Sequence, residues 1–122
     1  MSQESTETVS DTEAVRDIAD VAAVEVITTA AVHLMSAAAV KVGLAPDTED
    51  VKGAELKDLD EARKLITALA ALVTGSAADV GSMHARSLRD GLRSLQLAFR
   101  EASVVPDAPG EGPGESYTGS VV

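Results

Sequence analysis

The chain has 122 residues, enough for one small domain, and 45% of them are hydrophobic while only 2% are aromatic. A core made from such residues depends on Ala, Val and Leu, which favours closely packed helices over a sheet of bulky side chains. The lack of cysteine in the sequence excludes disulfides, thiolate metal sites and cysteine nucleophiles, and the net charge of −10 disfavours general binding to nucleic-acid phosphates.

The acidic charge is concentrated at the two ends of the chain. Residues 1–25 contain seven acidic residues and one arginine, and residues 103–122 contain three acidic residues and no base. Residues 26–102 contain ten acidic and nine basic residues and are nearly balanced. Because residues 1–15 have no Lys or Arg, they differ from the basic start of a secretory signal, and we expect a cytoplasmic protein.

The first predicted element is a long helix that begins near Asp11 and ends near Val42. A serine and a glutamate at capping-box spacing support this start, and the polar residues 1–10 are predicted to be disordered. Gly43 provides a left-handed cap, and Pro46 prevents the helix from continuing. The predicted helix has about thirty residues and a length of about 45 Å.

Residues 26–40 of this helix contain no charged residue, which raises the question of a membrane span. A span needs about twenty predominantly apolar residues. Extending the uncharged run to that length would bury Glu25 or Lys41, so we expect no membrane span. The helix is apolar around most of its circumference, and such a helix is normally buried on all sides.

Two shorter helices are predicted after a polar connection. The second helix begins at Asp58 and ends at Gly75, and the third ends at Ala102 and begins at either Ser76 or Ser82. Each carries one apolar stripe at helical spacing. The stripe of the second helix consists of Leu59, Ala62, Ile66, Leu69 and Val73, and that of the third consists of Leu88, Leu92, Leu95 and Phe99.

The last segment, residues 103–122, is rich in Pro and Gly and has no apolar periodicity, which predicts a disordered acidic tail. The sequence therefore predicts an all-α fold in which a long N-terminal helix packs on a C-terminal helical hairpin, as in a three-helix bundle. The helical domain is expected over residues 11–102, between disordered acidic ends.

Several stretches of this sequence carry a family resemblance. They are the "GLAPD" that ends the first predicted helix, the following "DLDEARKLITALAALVTG", and "LRDGLRSLQLAFREA" in the third helix. In these stretches the chain resembles a bacterial family known as domain of unknown function 1844, over about residues 24–102. The resemblance implies a small helical protein and provides no active-site residues.

The first helix has more apolar surface than its two neighbours can cover. Each of the shorter helices offers a single stripe, so together they cover one face of the first helix and leave a second, adjacent face open. We expect a second copy of the chain to cover that face, with a different protein as the alternative. The expected association face consists of Ala23, Val26, Ala30, His33, Ala37 and Val40.

The sequence contains no pattern that indicates catalysis or a cofactor. His33 would need metal ligands from elsewhere in the fold, since no His, Asp or Glu lies three or four residues away from it. Ser82 and His84 are close in sequence but lack an orienting acid and an oxyanion loop. We therefore expect a non-enzyme with no metal and no cofactor.

Four arginines share one face of the third predicted helix, with Gln96 filling the gap in their spacing. They could contact RNA phosphates or an acidic protein surface, or they could pair with acidic residues of their own chain. We expect a helical interaction protein that self-associates and scaffolds or modulates another complex; the alternative is an RNA- or ribosome-associated factor. The arginines are Arg86, Arg89, Arg93 and Arg100.

Overall fold

The computed structural model describes Val15 and residues 18–122. Within these residues the chain is helical and has no strand, which confirms the predicted all-α class. A short 3-10 helix lies between the first two long helices, and a one-turn helix follows the third. In chain order the elements are α1 (Ala23–Lys41), the 3-10 helix (Gly53–Leu56), α2 (Leu59–Val80), α3 (Ser82–Ala102) and α4 (Glu115–Thr118).

The beginning of α1 differs from the prediction. A helical turn over residues 18–20 ends at a bend at Val21, and Ala22 is extended, with φ −66° and ψ 146°. The prediction of one continuous helix from Asp11 to Val42 is therefore wrong, and α1 has 19 residues. Neither glycine nor proline occurs at the break, so the sequence carries no helix-breaking signal there. The predicted capping box and residues 1–10 lie outside the described residues.

The end of α1 agrees with the prediction. Gly43 has a φ of 95° and follows the last helical turn. Its N–H donates to the Val40 carbonyl at 3.0 Å, and the N–H of Leu44 donates to the Ala39 carbonyl at 3.0 Å. These two bonds form a Schellman motif, which satisfies carbonyls that the end of a helix leaves without partners. Glycine is suited to this position because a side chain rarely adopts that φ.

The connection between α1 and α2 folds back on the end of α1. The Asp47 carboxylate accepts a hydrogen bond from the Gly53 N–H at 2.7 Å. A Cβ atom at Gly53 would overlap the Ala45 carbonyl, so this close approach requires glycine. The N–H of Asp58 donates to the Lys41 carbonyl at 2.8 Å, which joins the start of α2 to the end of α1.

The start of α2 is confirmed, but its end is not at Gly75. Asp58 caps the helix, and its carboxylate accepts a hydrogen bond from the Glu61 N–H at 3.2 Å. Beyond Gly75 the helix continues for a further turn and a half because Ser76 and Val80 are both buried there. Tertiary packing has outweighed the low helix propensity of glycine.

Gly81 alone separates α2 from α3. It has a φ of 87°, a conformation that favours glycine, and it occupies the N-cap position of α3 without a side-chain hydrogen bond. Of the two predicted starts for the third helix, the structure places α3 at Ser82 and leaves Ser76 inside α2. Ser82 is the first helical residue and not the cap.

The core lies where α1, α2 and α3 meet, and α2 contacts both other long helices. The predicted stripes of α2 and α3 are buried, except that Leu59 is only partly buried. Burial of one such aliphatic side chain stabilises the fold by about 1.5–3 kcal/mol. The largest fully buried side chains are Ile66, Leu69, Val73 and Leu92.

Residues 103–122 do not form the predicted disordered tail. They fold back against the helices, α4 contacts α2, and Pro113, Gly114, Glu115 and Val121 are buried. The prediction failed because this segment is held mainly by polar and backbone contacts, which leave no apolar periodicity in the sequence. We call residues 103–122 the C-terminal segment.

Candidate functional site

The six residues predicted to form an association face follow one side of α1. Helical spacing places them away from Ala31 and Ala38, the two fully buried residues of this helix. The first four are exposed and the last two are half-buried; in chain order they are Ala23, Val26, Ala30, His33, Ala37 and Val40. A single chain therefore leaves most of this association face in contact with solvent.

The exposed apolar surface extends beyond the association face. Ile18 and Val21 lie just before α1 and are exposed, as is Leu44 just after it. Val32 is exposed on a neighbouring side of the helix. The only charged residues of α1 lie in its first and last turns. Single exposed apolar residues are common on soluble proteins, whereas several along one helix make that helix a candidate interaction surface.

Among the described residues, α1 has the length and composition that could cross a bilayer. Its mean hydropathy is 1.6 over the most apolar window, and only 11% of that window is buried. Core helices of soluble proteins reach similar hydropathy, but they are mostly buried. Within the described residues, α1 is therefore less buried than the core helix of a soluble protein usually is.

His33 lies on the exposed side of α1. Over residues 18–122, no group of three or more His, Asp or Glu side chains is arranged to hold a metal ion. His33 thus lies on the predicted association face and not in a cluster of metal ligands.

The predicted arginine stripe divides into two pairs. Arg86 and Arg89, in the first half of α3, are exposed. Arg93 donates to the Val121 carbonyl at 3.3 Å, and Arg100 donates to the Asp107 carbonyl at 3.0 Å. The second pair thus contacts the C-terminal segment, through backbone carbonyls and not through carboxylates.

An open cleft of about 680 Å³ lies beside the turn between α2 and α3. Arg86 and Arg89 form part of its wall, and Asp90 places a negative charge in the same wall. The remaining lining is made of small residues, so the cleft has few groups that could fix the orientation of a ligand.

Asp107 anchors the first part of the C-terminal segment. Arg63 of α2 donates through one nitrogen to both oxygens of the Asp107 carboxylate, at 3.1 and 2.9 Å. The Arg63 guanidinium also lies over the Phe99 ring, 4.9 Å from its centroid. Because Arg100 donates to the Asp107 backbone as well, Asp107 is held by arginines from both α2 and α3.

Gln96 anchors the second part of the segment. Its side chain is only 3% exposed, and its amide nitrogen donates to the Pro113 carbonyl and to the Thr118 hydroxyl, both at 3.1 Å. Gly114 passes directly over α2, where a Cβ atom would lie 2.6 Å from the Cβ of Ala70. The segment and helices leave a cavity of only about 10 Å³ at this contact, so they fit closely.

Glu115 closes the end of the segment into a loop. Its buried carboxylate accepts hydrogen bonds from the Gly112 N–H at 2.8 Å and from the Val121 N–H at 2.9 Å. The segment is thus preorganised by its own acidic side chain while Gln96, Arg63 and the other contacts hold it on the helices.

The sequence does not predict the residues that bind the C-terminal segment. Gln96 fills the gap in the predicted arginine stripe, yet it is buried. An uncharged side chain in the middle of four arginines was the available signal, because a buried side chain is more often an amide than a guanidinium. Arg63 and Asp107 are 44 residues apart in the chain, and no local pattern links them.

Comparison with known proteins gives one match. Searches of the curated proteins and of the solved structures found no similar protein. A protein-family model described as "Domain of unknown function (DUF1844)" matches residues 23–101. The matched region begins with α1 and ends within the last turn of α3, so it contains the three long helices and excludes the C-terminal segment. The chain therefore belongs to this family, domain of unknown function 1844.

Proposed function

We propose that this protein is a non-enzymatic interaction protein that self-associates through the association face of α1 and thereby scaffolds or modulates a larger complex. The observation that carries the proposal is the contrast between the high hydropathy of α1 and its 11% burial within one chain. Removing that apolar surface from water favours association by roughly 25 cal/mol for each Å² buried.

A second copy is the partner that suits this face best. The face carries no charged residue, so an isologous contact places no like charges against one another. A positively charged partner would form no ion pair at this face, because the acidic residues that give the net charge of −10 lie outside it. Ala23, Ala30 and Ala37 recur at intervals of seven and allow two helices to approach closely.

The expected dimer is reversible. A helix of 19 residues is about 28 Å long and offers a face about 10 Å wide. Such a face is smaller than the roughly 800 Å² per partner that a standard interface buries. Exposed neighbours such as Ile18, Val21 and Leu44 add to it. We therefore expect association that depends on protein concentration and not an obligate dimer.

Ala30→Glu tests the proposal, with Ala68→Glu as the control. Both positions are exposed and both variants add one negative charge, but Ala68 lies in α2 and not on the association face. By sedimentation velocity over a range of about 10–500 µM, we expect the wild-type chain and Ala68→Glu to associate and Ala30→Glu to remain monomeric, because an unpaired charge would be desolvated in the interface.

Two outcomes would contradict this proposal. The first is a wild-type chain that stays monomeric over the whole concentration range. The second is a chain that floats with phosphatidylcholine vesicles and loses this property on Ala30→Glu, which would make the bilayer and not a second copy the partner of α1.

The alternative function is contact with RNA phosphates through Arg86 and Arg89. These two guanidinium groups are exposed, whereas Arg93 and Arg100 already donate to the C-terminal segment. The described helices offer no aromatic side chain beside Arg86 and Arg89 on which a base could stack in the usual way. Binding of a short RNA that resists about 0.15 M salt and disappears in an Arg86→Gln/Arg89→Gln double variant would support this alternative.

A further inference from the structure

We infer that the groove between α2 and α3 is a docking site for an acidic peptide of a partner protein, and that the C-terminal segment occupies this groove as an exchangeable internal ligand. The groove is formed by Arg63 and Ala70 of α2 and by Arg93, Gln96, Phe99 and Arg100 of α3. This inference does not depend on the proposed self-association, since none of these residues belongs to α1.

The groove recognises a carboxylate at one end. Arg63 binds both carboxylate oxygens of Asp107, and stacking on Phe99 holds its guanidinium in place before a ligand arrives. Arg100 adds a donor to the adjacent carbonyl. Guanidinium groups suit this role because they remain charged and present several donors in one plane. An aspartate flanked by an accessible carbonyl is thus the first element that a partner must supply.

The groove recognises backbone and a glycine at the other end. The buried Gln96 amide needs two acceptors, which Pro113 and Thr118 provide. A donor that stays buried without an acceptor costs about 1–3 kcal/mol, so any occupant that covers Gln96 must supply these acceptors. Only glycine fits where Gly114 crosses Ala70. A competing peptide therefore needs an acidic residue, followed seven positions later by glycine, as Asp107 is followed by Gly114.

Charge supports an acidic occupant. The C-terminal segment contains three acidic residues and no base, while the groove presents three arginines. In a chain with a net charge of −10, these arginines form a local positive surface. They steer an acidic peptide toward the groove and discriminate against basic ones.

Three observations support the interpretation of the segment as an occupant of the groove. The core cluster formed by α1, α2 and α3 contains no residue of the segment. The family match ends at residue 101, so the groove belongs to the shared domain and its occupant does not. The link between them is solvated, since Val104 is 98% exposed and Val105 is 84% exposed. Departure of the segment would expose Val121 and uncover Ala70, but it would leave the packing among the three long helices in place.

The experiment releases the internal ligand and measures binding of the same sequence in trans. Gly114→Ala in the full chain weakens docking, because its Cβ would overlap Ala70 while the groove itself stays unchanged. The control is Ser116→Ala, an exposed position of the same segment whose backbone does not require glycine. The probe is a fluorescently labelled synthetic peptide of residues 103–122. The protein is titrated into the peptide at concentrations below about 1 µM, and fluorescence anisotropy reports binding.

We expect Gly114→Ala to bind the peptide at least about tenfold more tightly than the wild-type chain or Ser116→Ala, because the tethered competitor acts at an effective concentration near the millimolar range. A peptide that carries Asp107→Asn should bind about twofold to tenfold more weakly, because the Arg63–Asp107 pair is partly exposed. Circular dichroism shows whether the receptor chain keeps its helices. If Gly114→Ala does not fold, the same titration on an Asp107→Asn chain decides the question, since this change loosens the other anchor.

Two results would overturn the inference. One is a folded variant whose segment has become sensitive to protease but which does not bind the peptide. The other is equal competition by a scrambled peptide of the same composition or by a short RNA, which would reduce the groove to an unspecific cationic surface. Neither result bears on self-association, which is measured separately with Ala30→Glu.

Discussion

The two regions of this molecule that differ most in composition are α1 and the C-terminal segment. α1 is a 19-residue apolar helix with a mean hydropathy of 1.6, yet only 11% of its most apolar window is buried. The C-terminal segment is rich in Pro and Gly, yet it buries Gly114 and Glu115 against or beside the helices. Burial thus depends on which neighbours a region can reach and not on its hydropathy alone.

The number of neighbours explains this difference. α2 contacts α1, α3 and α4, so its apolar side and part of its flank are covered. Among the described elements, α1 contacts α2, α3 and the 3-10 helix, and these cover the side that carries Ala31 and Ala38. The C-terminal segment compensates for its lack of apolar side chains with hydrogen bonds from Gln96 and the groove arginines.

The largest effect on stability is expected from truncation of a buried aliphatic residue of α2, compared with truncation of an exposed one of α1. Leu69→Ala removes a fully buried side chain of α2 and should lower the free energy of unfolding by about 2–5 kcal/mol. Val26→Ala, on the exposed face of α1, should change it by less than about 0.5 kcal/mol at a protein concentration where the chain is monomeric. Denaturation with guanidinium chloride measures both values. A comparable loss for Val26→Ala would show that α1 is covered within one chain.

A smaller effect is expected when the loop of the C-terminal segment is opened. Glu115→Ala leaves the buried N–H of Val121 and the N–H of Gly112 without their acceptor, which should cost about 1–3 kcal/mol. Glu111→Ala removes an exposed carboxylate from the same segment and is the control. Hydrogen exchange at the Val121 amide should accelerate for Glu115→Ala alone. Unchanged protection in that variant would mean that the groove contacts suffice without the loop.

The smallest effect is expected for the ion pairs. Arg63→Ala removes the contact with Asp107 and the stacking on Phe99, but the two charged side chains are 43% and 29% exposed, so we expect a loss of only about 0.5–1.5 kcal/mol. The control, Lys64→Ala, breaks an exposed pair with Glu61 at 3.6 Å and should cost less than about 0.5 kcal/mol. Thermal denaturation of both variants tests the order. Equal losses would indicate that Arg63 contributes no more than a surface charge.

Much of the helical fold could be predicted from the sequence. The stripes that contain Ile66 and Leu92 follow the period of a helix, because each helix buries one side against the others. The cap at Asp58 and the left-handed glycine at Gly43 follow from local backbone chemistry, which is encoded within a few residues.

The parts that could not be predicted depend on contacts between distant residues or on a missing signal. The break at Ala22 has no glycine or proline. Gly75 looked like a helix end, but burial of Ser76 and Val80 extends α2 past it. The groove joins Gln96 to residues that follow α3, and polar contacts of this kind have no period along the chain. The residues of the predicted association face could be grouped in advance because they share one helix, and their role in association stays a prediction.

The single residue between α2 and α3 has a kinetic consequence. Because only Gly81 separates these helices, bringing them together closes the shortest loop between long helices in the described chain, at a small cost in loop entropy. Contacts that are local in sequence form fast. We therefore expect the α2–α3 hairpin to nucleate folding, with α1 and the C-terminal residues adding to it afterwards from opposite ends of the polypeptide.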